Sequence, residues 1–172
     1  SSIHLDAGMH CVDCHFEQDS HSNGHLYGEV ANTIEVTCKD CHGTADAYPS
    51  LRSSGPAAPP GGTDFSLTRN ADGSKRFEWR GDKLIQRSAL WPDLEWEMSL
   101  VKDSINPDHA TYNAKAARAK LVSNDTATQT WGLGVSKDDR AHKDEEMECF
   151  TCHLSWTTSC GGCHLPIQAN WK

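Results

Sequence analysis

The stretch CFTCHLSWTTSCGGCH, Cys149 to His164, holds two Cys-x-x-Cys-His units with only six residues between His153 and Cys160. Disulfides, a zinc site and covalently attached haem all use paired cysteines, so the rest of the chain has to decide among them. All eight cysteines of the 172-residue chain fall into pairs of this spacing: Cys11/Cys14, Cys38/Cys41, Cys149/Cys152 and Cys160/Cys163. The residue after every pair is histidine: His15, His42, His153 and His164. With ten histidines in the chain, four such coincidences arise by chance with a probability on the order of 10⁻⁵.

A zinc ribbon separates its two Cys-x-x-Cys pairs by roughly 15–20 residues and needs no histidine after each one. The two C-terminal pairs here are separated by seven residues. Disulfide frameworks belong to smaller, cysteine-dense chains and carry no obligatory histidine. A thioredoxin-like redox pair accounts for one Cys-x-x-Cys, not four. Cys-x-x-Cys-His is the attachment signature of c-type haem, and its spacing has a physical basis. Two thiols three positions apart each add to a vinyl group of one porphyrin, and the adjacent histidine is set beneath the iron as proximal ligand. The sequence therefore predicts four covalently bound haem c groups on the eight cysteines, with His15, His42, His153 and His164 on the irons. The short linker inside Cys149–His164 predicts that its two haems lie close together, as a directly stacked pair.

Composition agrees with a chain that wraps cofactors. Hydrophobic residues make up 37% of it, and the mean hydropathy is −0.63. That is lean for an ordinary core, so large apolar porphyrins are expected to form most of the core and regular secondary structure to be sparse. By the logic of structural metals, the haem-free chain is expected to be largely disordered. A net charge of −8 argues against nucleic acid and acidic membrane surfaces as partners. No apolar run approaches the ~18 residues of a membrane span. The chain starts at Ser1 and reads as a mature, processed chain or a fragment.

The sixth position on each iron decides between carrying electrons and doing bond chemistry. Six histidines remain outside the motifs, against three methionines, so bis-histidine ligation at low potential is expected throughout. The preferred distal ligands are His4, His10, His21 and His142. His4 lies on a segment able to fold over a haem face, and His10 is fixed beside Cys11. His21 shares the turn-rich DSHSNGHLYGE with His25, and His142 stands seven residues before Cys149. His25 and His109 are held in reserve; for His109, a plain exposed position near a helix start is the competing reading.

Three stretches follow: residues 1–52 with two haems, 53–140 as linker plus a small α+β insert, and 141–172 with two haems. SSGPAAPPGG, Ser53 to Gly62, reads as an extended connector. DFSLT and KRFEWR read as strands joined at Asp72-Gly73, with KLIQRSAL and LEWEMSLVK as two more, giving a small antiparallel sheet. The alanine-rich AKAARAKLV favours helix. Trp79, Trp91, Trp96 and Trp131 are expected in the insert's core or against porphyrin faces. Acidic runs at Asp138/Asp139 and Asp144–Glu146 lack calcium-loop spacing. No phosphate loop, nucleophile elbow or His-Glu-x-x-His occurs.

GMHCVDCHF, LYGEV…TCKDCHG and CFTCHLSWTTSCGGCHLP, with RFEWR…LIQRS…LEWE between, resemble segments of large secreted multihaem c-type cytochromes of bacteria that respire on extracellular acceptors. Tetrahaem cytochromes that polymerise into extracellular filaments belong to that group. The resemblance implies a mostly irregular multihaem cytochrome c fold with short helices, a small sheet insert and haems at the core. It implies bis-histidine electron transfer, with His4, His10, His21 and His142 where distal ligands fall. It implies an extracellular, cell-surface or periplasmic location, with redox proteins, extracellular acceptors or further copies of the chain as partners. Two readings from other classes stand beside it: a multihaem reductase with one open iron, which no motif here marks, and a docking module of a larger cytochrome complex.

Overall fold

FEWR, KLIQR and EWE build the one sheet among the described residues, which are 2–15 and 23–153 of this computed structural model. Strands β1 (Phe77–Arg80), β2 (Lys83–Arg87) and β3 (Glu95–Glu97) are antiparallel in the order β1-β2-β3. Phe77 faces Gln86 and Trp79 faces Leu84 across the first pair, while Ile85 faces Glu97 across the second. The tight β1–β2 connection turns at Gly81, whose φ of 67° suits glycine in a two-residue hairpin loop.

The register gives the sheet two unlike faces. Phe77, Leu84 and Gln86 are buried on one side. On the other, Arg80 pairs with Glu78 and Glu95, Lys83 with Glu97 and Arg87 with Glu78. This ladder roofs Ile85, which is 7% exposed. Each exposed pair contributes little to stability, but together they keep water from the strand beneath.

Leu51, Phe65, Phe77, Leu84 and Leu100 form the main apolar cluster, with Val36, Cys41 and Met98 packed against it. The Phe65 and Phe77 ring centres are 6.1 Å apart. A second cluster joins Ala45, Ile105, Ala117 and Leu121, with Tyr112 alongside. Ala117 comes from the helix Ala114–Lys120, capped by Asn113, whose side chain accepts from the backbone N–H groups of Lys115 and Ala116. Both clusters therefore join the insert to residues 1–52, which supply Leu51, Val36, Cys41 and Ala45.

Three local expectations need correction. DFSLT is not a strand: Phe65–Leu67 is a 3₁₀ turn, because the Asp64 carboxylate caps it through the Ser66 N–H. The Asp72-Gly73 turn does form, but only one isolated bridge, Arg69 to Lys75, closes it. The Pro/Gly run is not an extended connector either. It folds back so that Arg52 and Asp64 bridge and form an ion pair at 2.7 Å, and Ser53 N–H donates to the Thr63 carbonyl at 3.0 Å. Gly55 permits this closure, since a Cβ there would collide with the carbonyls of Ile34 and Glu35.

Trp79, Trp91, Trp96 and Trp131 lie outside both clusters. Trp96 donates its indole N–H to the Ala7 carbonyl at 2.9 Å, and Trp79 packs edge-on against Tyr48 at 5.9 Å. These two sit at seams between the insert and residues 1–52. A further seam is the two-pronged bond from Arg140 to Asp46, at 2.8 and 2.9 Å.

Two outcomes test this architecture. Leu84 is 0% exposed, so Leu84→Ala should lower unfolding free energy by about 3 kcal/mol in urea titrations. The Asp46 carboxyl is held below its ordinary value by its bond to Arg140. Its stabilisation is therefore complete above the unfolded carboxyl value of about 4 and is lost as pH falls through the lower folded value. Asp46→Asn should be less stable than the parent from about pH 5 upward, and the two should converge towards about pH 2.

Candidate haem attachment site

Three of the four Cys-x-x-Cys-His units lie within the described residues; Cys160, Cys163 and His164 lie outside them, as does His21. The stacking expected within Cys149–His164 lies outside them for the same reason. Each described unit is built on a single helical turn. Cys11–Cys14 is helical, with His15 N–H bonded to the Cys11 carbonyl at 2.7 Å. Cys38–His42 is helical through its histidine. In such a turn, positions i, i+3 and i+4 share a face, which gathers two thiols and an imidazole on one side.

The third unit differs from the first two. Its turn, Cys149–Thr151, is 3₁₀ and ends before the second cysteine, so Cys152 stands outside it as the C-cap, at φ −102° and ψ −32°. Cys152 N–H still bonds to the Cys149 carbonyl at 3.2 Å, and His153 N–H reaches the same carbonyl at 3.0 Å. The backbone therefore keeps Cys152 within one turn of Cys149. The two cysteines differ in setting, however: Cys149 is partly buried and Cys152 is exposed. The physical reason lies in the sequence, because CFTCH has threonine where CVDCH and CKDCH have aspartate, and a carboxylate cap like theirs cannot form.

That aspartate holds the first two turns. It precedes the second cysteine in both, and both copies are buried, Asp13 at 1% and Asp40 at 3% exposure. Asp13 accepts the His10 N–H at 2.8 Å and the Ala89 N–H at 2.7 Å. Asp40 accepts the Thr37 N–H at 2.7 Å, the Ser54 N–H at 3.0 Å and the Ser54 hydroxyl at 2.5 Å. One bond in each set caps the turn, and another ties it to a distant part of the chain. Gln86 adds a bond from its side-chain N–H to the Asp13 carbonyl at 2.6 Å, and Arg76 one to the Val12 carbonyl at 3.0 Å. These anchors escaped sequence reading, although the aspartate shared by the two motifs was a visible signal.

Burial pushes the Cys41 thiol up to about 12, helped by charge on Cys14 and Asp40. Burial likewise raises Cys14, helped by the Asp13 charge. The Cys38 and Cys149 thiols perturb each other, Cys38 upward and Cys149 downward. His42 is lowered mainly by burial, against a raising bond from Ser99, with further lowering from His4 and His153.

Among the remaining predicted ligands, His4 lies with its ring centre 6.0 Å from that of His42, the two planes tilted by 41°. His42 Nδ1 meets the Ser99 carbonyl at 2.7 Å, and His142 Nδ1 meets the Ala119 carbonyl at 2.7 Å. A carbonyl on one ring nitrogen is the usual means of orienting a metal-ligating histidine. His10 Nε2 accepts the Trp91 indole N–H at 3.1 Å, so ligation by that nitrogen would exchange this bond for iron. His25 packs edge-on against Tyr27. His109 is turned on its own loop, with Nδ1 bonded to Thr111 and Nε2 3.9 Å from Asp103.

The surface of the motif segment fits a large apolar group. Ile3, Leu5, Leu26 and Val30 are between 64% and 102% exposed, and Phe150 beside Cys149 is 58% exposed. Large apolar side chains are exposed in the insert as well, among them Leu67, Leu90 and Leu133. The six described cysteines, Cys11, Cys14, Cys38, Cys41, Cys149 and Cys152, form no disulfide with one another. Among the described residues, no three histidine, cysteine or acidic side chains converge as a bare-metal site, and no helix is long and apolar enough to cross a membrane. Comparison with protein-family models, curated proteins and solved structures finds no match.

Removing the Asp40 carboxylate leaves two N–H donors and a hydroxyl without their acceptor. Asp40→Ala should cost about 2 kcal/mol or more in chemical unfolding. Glu78→Ala, which removes only surface pairs, should cost less than about 1 kcal/mol in the same assay.

Proposed function

We propose that the chain is an electron-transfer protein carrying four c-type haems, each closed on both faces by histidine. The observation that carries the reading is the local turn at each described motif, which brings two cysteines and the following histidine within one turn of backbone. A haem iron held between two imidazoles exchanges single electrons and offers substrate no open position. The chain's part is to hold the attachment residues rigidly and near one another. Asp13 and Asp40 fix the first two turns to the insert. The His4 ring centre lies 6.0 Å from that of His42, so the N-terminal segment stands against the second motif, and closeness of this kind is what hopping between cofactors requires.

The exposed aliphatic residues of the motif segments support the same reading, because burying apolar surface of this kind is favourable by about 25 cal/mol per Å². Location outside the cytoplasm, and redox proteins, extracellular acceptors or further copies of the chain as partners, belong to this proposal.

The test is production of the exported chain with its thiols kept reduced and haem supplied. Intact mass should show four haems, and Cys149→Ser/Cys152→Ser should show three. The reduced protein should be fully low-spin and should not bind carbon monoxide. A carbon monoxide complex in the parent would move the reading to a reductase, and zinc or disulfides in place of haem would end it.

A further inference from the structure

We propose that His4 and His42 are the two axial ligands of one haem, the one attached through Cys38 and Cys41, so that the N-terminal helix closes the second motif and not the first. This rests on the tetrahaem reading above and assigns a ligand that the sequence left open among all four irons.

The geometry argues for it in three ways. Two imidazoles on opposite sides of one metal, with bonds of about 2 Å and ring centres about 1.2 Å beyond each nitrogen, stand about 6 to 6.5 Å apart. The His4 and His42 ring centres are 6.0 Å apart, although 38 positions separate them in sequence. No hydrogen bond between the two rings accounts for that approach. Second, the Ser99 carbonyl at 2.7 Å accepts a hydrogen bond from His42 Nδ1–H, the tautomer in which Nε2 is the unprotonated nitrogen that binds metal.

Third, His4 is held in place by a structured segment. It lies in the helix Ile3–Asp6, and its carbonyl accepts the Met9 N–H at 2.9 Å. Trp96 grips the next turn through the Ala7 carbonyl. Ile3 and Leu5, on either side of His4, are 74% and 64% exposed, so this helix presents to solvent apolar side chains of the kind a porphyrin covers. His10 does not compete from the same segment, because its Nε2 already accepts from Trp91.

The experiment uses the exported holoprotein. The parent is measured first: fewer than four haems, or any high-spin iron before mutation, defeats the functional reading without touching His4. In His4→Gly, electron paramagnetic resonance should then show one iron in four as high-spin, with a matching quarter of the haem binding carbon monoxide. Added imidazole should restore it, which separates loss of a ligand from loss of fold. His4→Met should give one haem a sulfur-to-iron charge-transfer band and a raised potential. In a Cys38→Ser/Cys41→Ser background, which lacks the second haem, His4→Gly should create no high-spin iron. Four low-spin, bis-histidine irons in both His4 variants would overturn the assignment, as would a new high-spin iron in the three-haem background.

Discussion

The buried carboxylates of Asp13 and Asp40 are the contacts on which the arrangement of the motif turns depends. Each accepts the N–H at the start of its own turn and an N–H from a segment far along the chain. A charged acceptor in a dry site strengthens such bonds, and leaving its donors unmet is costly. A short helical turn has little stability of its own, since nucleation fixes several dihedrals for one hydrogen bond. Here the turn is held from outside, and its cysteines and histidine inherit the rigidity of the sheet and of the closed Ser53–Gly62 loop. The third motif, with no such carboxylate, makes only a 3₁₀ turn that stops short of Cys152.

That arrangement ties the first motif segment to the insert through shared cores. Leu51, Val36 and Cys41 pack with Phe65, Phe77, Leu84 and Leu100, and Ala45 packs with Ile105, Ala117 and Leu121. Large apolar side chains are exposed in both parts, Ile3, Leu5, Leu26 and Val30 in the first and Leu67, Leu90 and Leu133 in the second.

Long-range contacts also place the first motif segment. The ring centres of His4 and His42 are 6.0 Å apart. Trp91 and Trp96, hydrogen-bonded to His10 and Ala7, hold the first motif against the insert.

The sequence by itself determined the chemistry that the chain can offer: four cysteine pairs, four trailing histidines and a surplus of further imidazoles are covalent facts that need no fold to be read. It also marked three strands of the sheet, within KRFEWR, KLIQRSAL and LEWEMSLVK, because aromatic and branched residues set between turns are a local signal, and it placed the helix at AKAARAK. It misread DFSLT and the Pro/Gly run, where a capping aspartate and an ion pair between Arg52 and Asp64 overrode local preference. Equal spacing also hid a difference among the motifs, since Cys152 lies past the end of its turn whereas Cys14 and Cys41 lie within theirs. Nor could it say which imidazole meets which motif. His4 and His42, His42 and the Ser99 carbonyl, and Asp13 and the Ala89 N–H are partners far apart in sequence. Their meeting is set by how the insert closes, which only the tertiary structure decides, because long-range contacts leave no periodic trace in the chain.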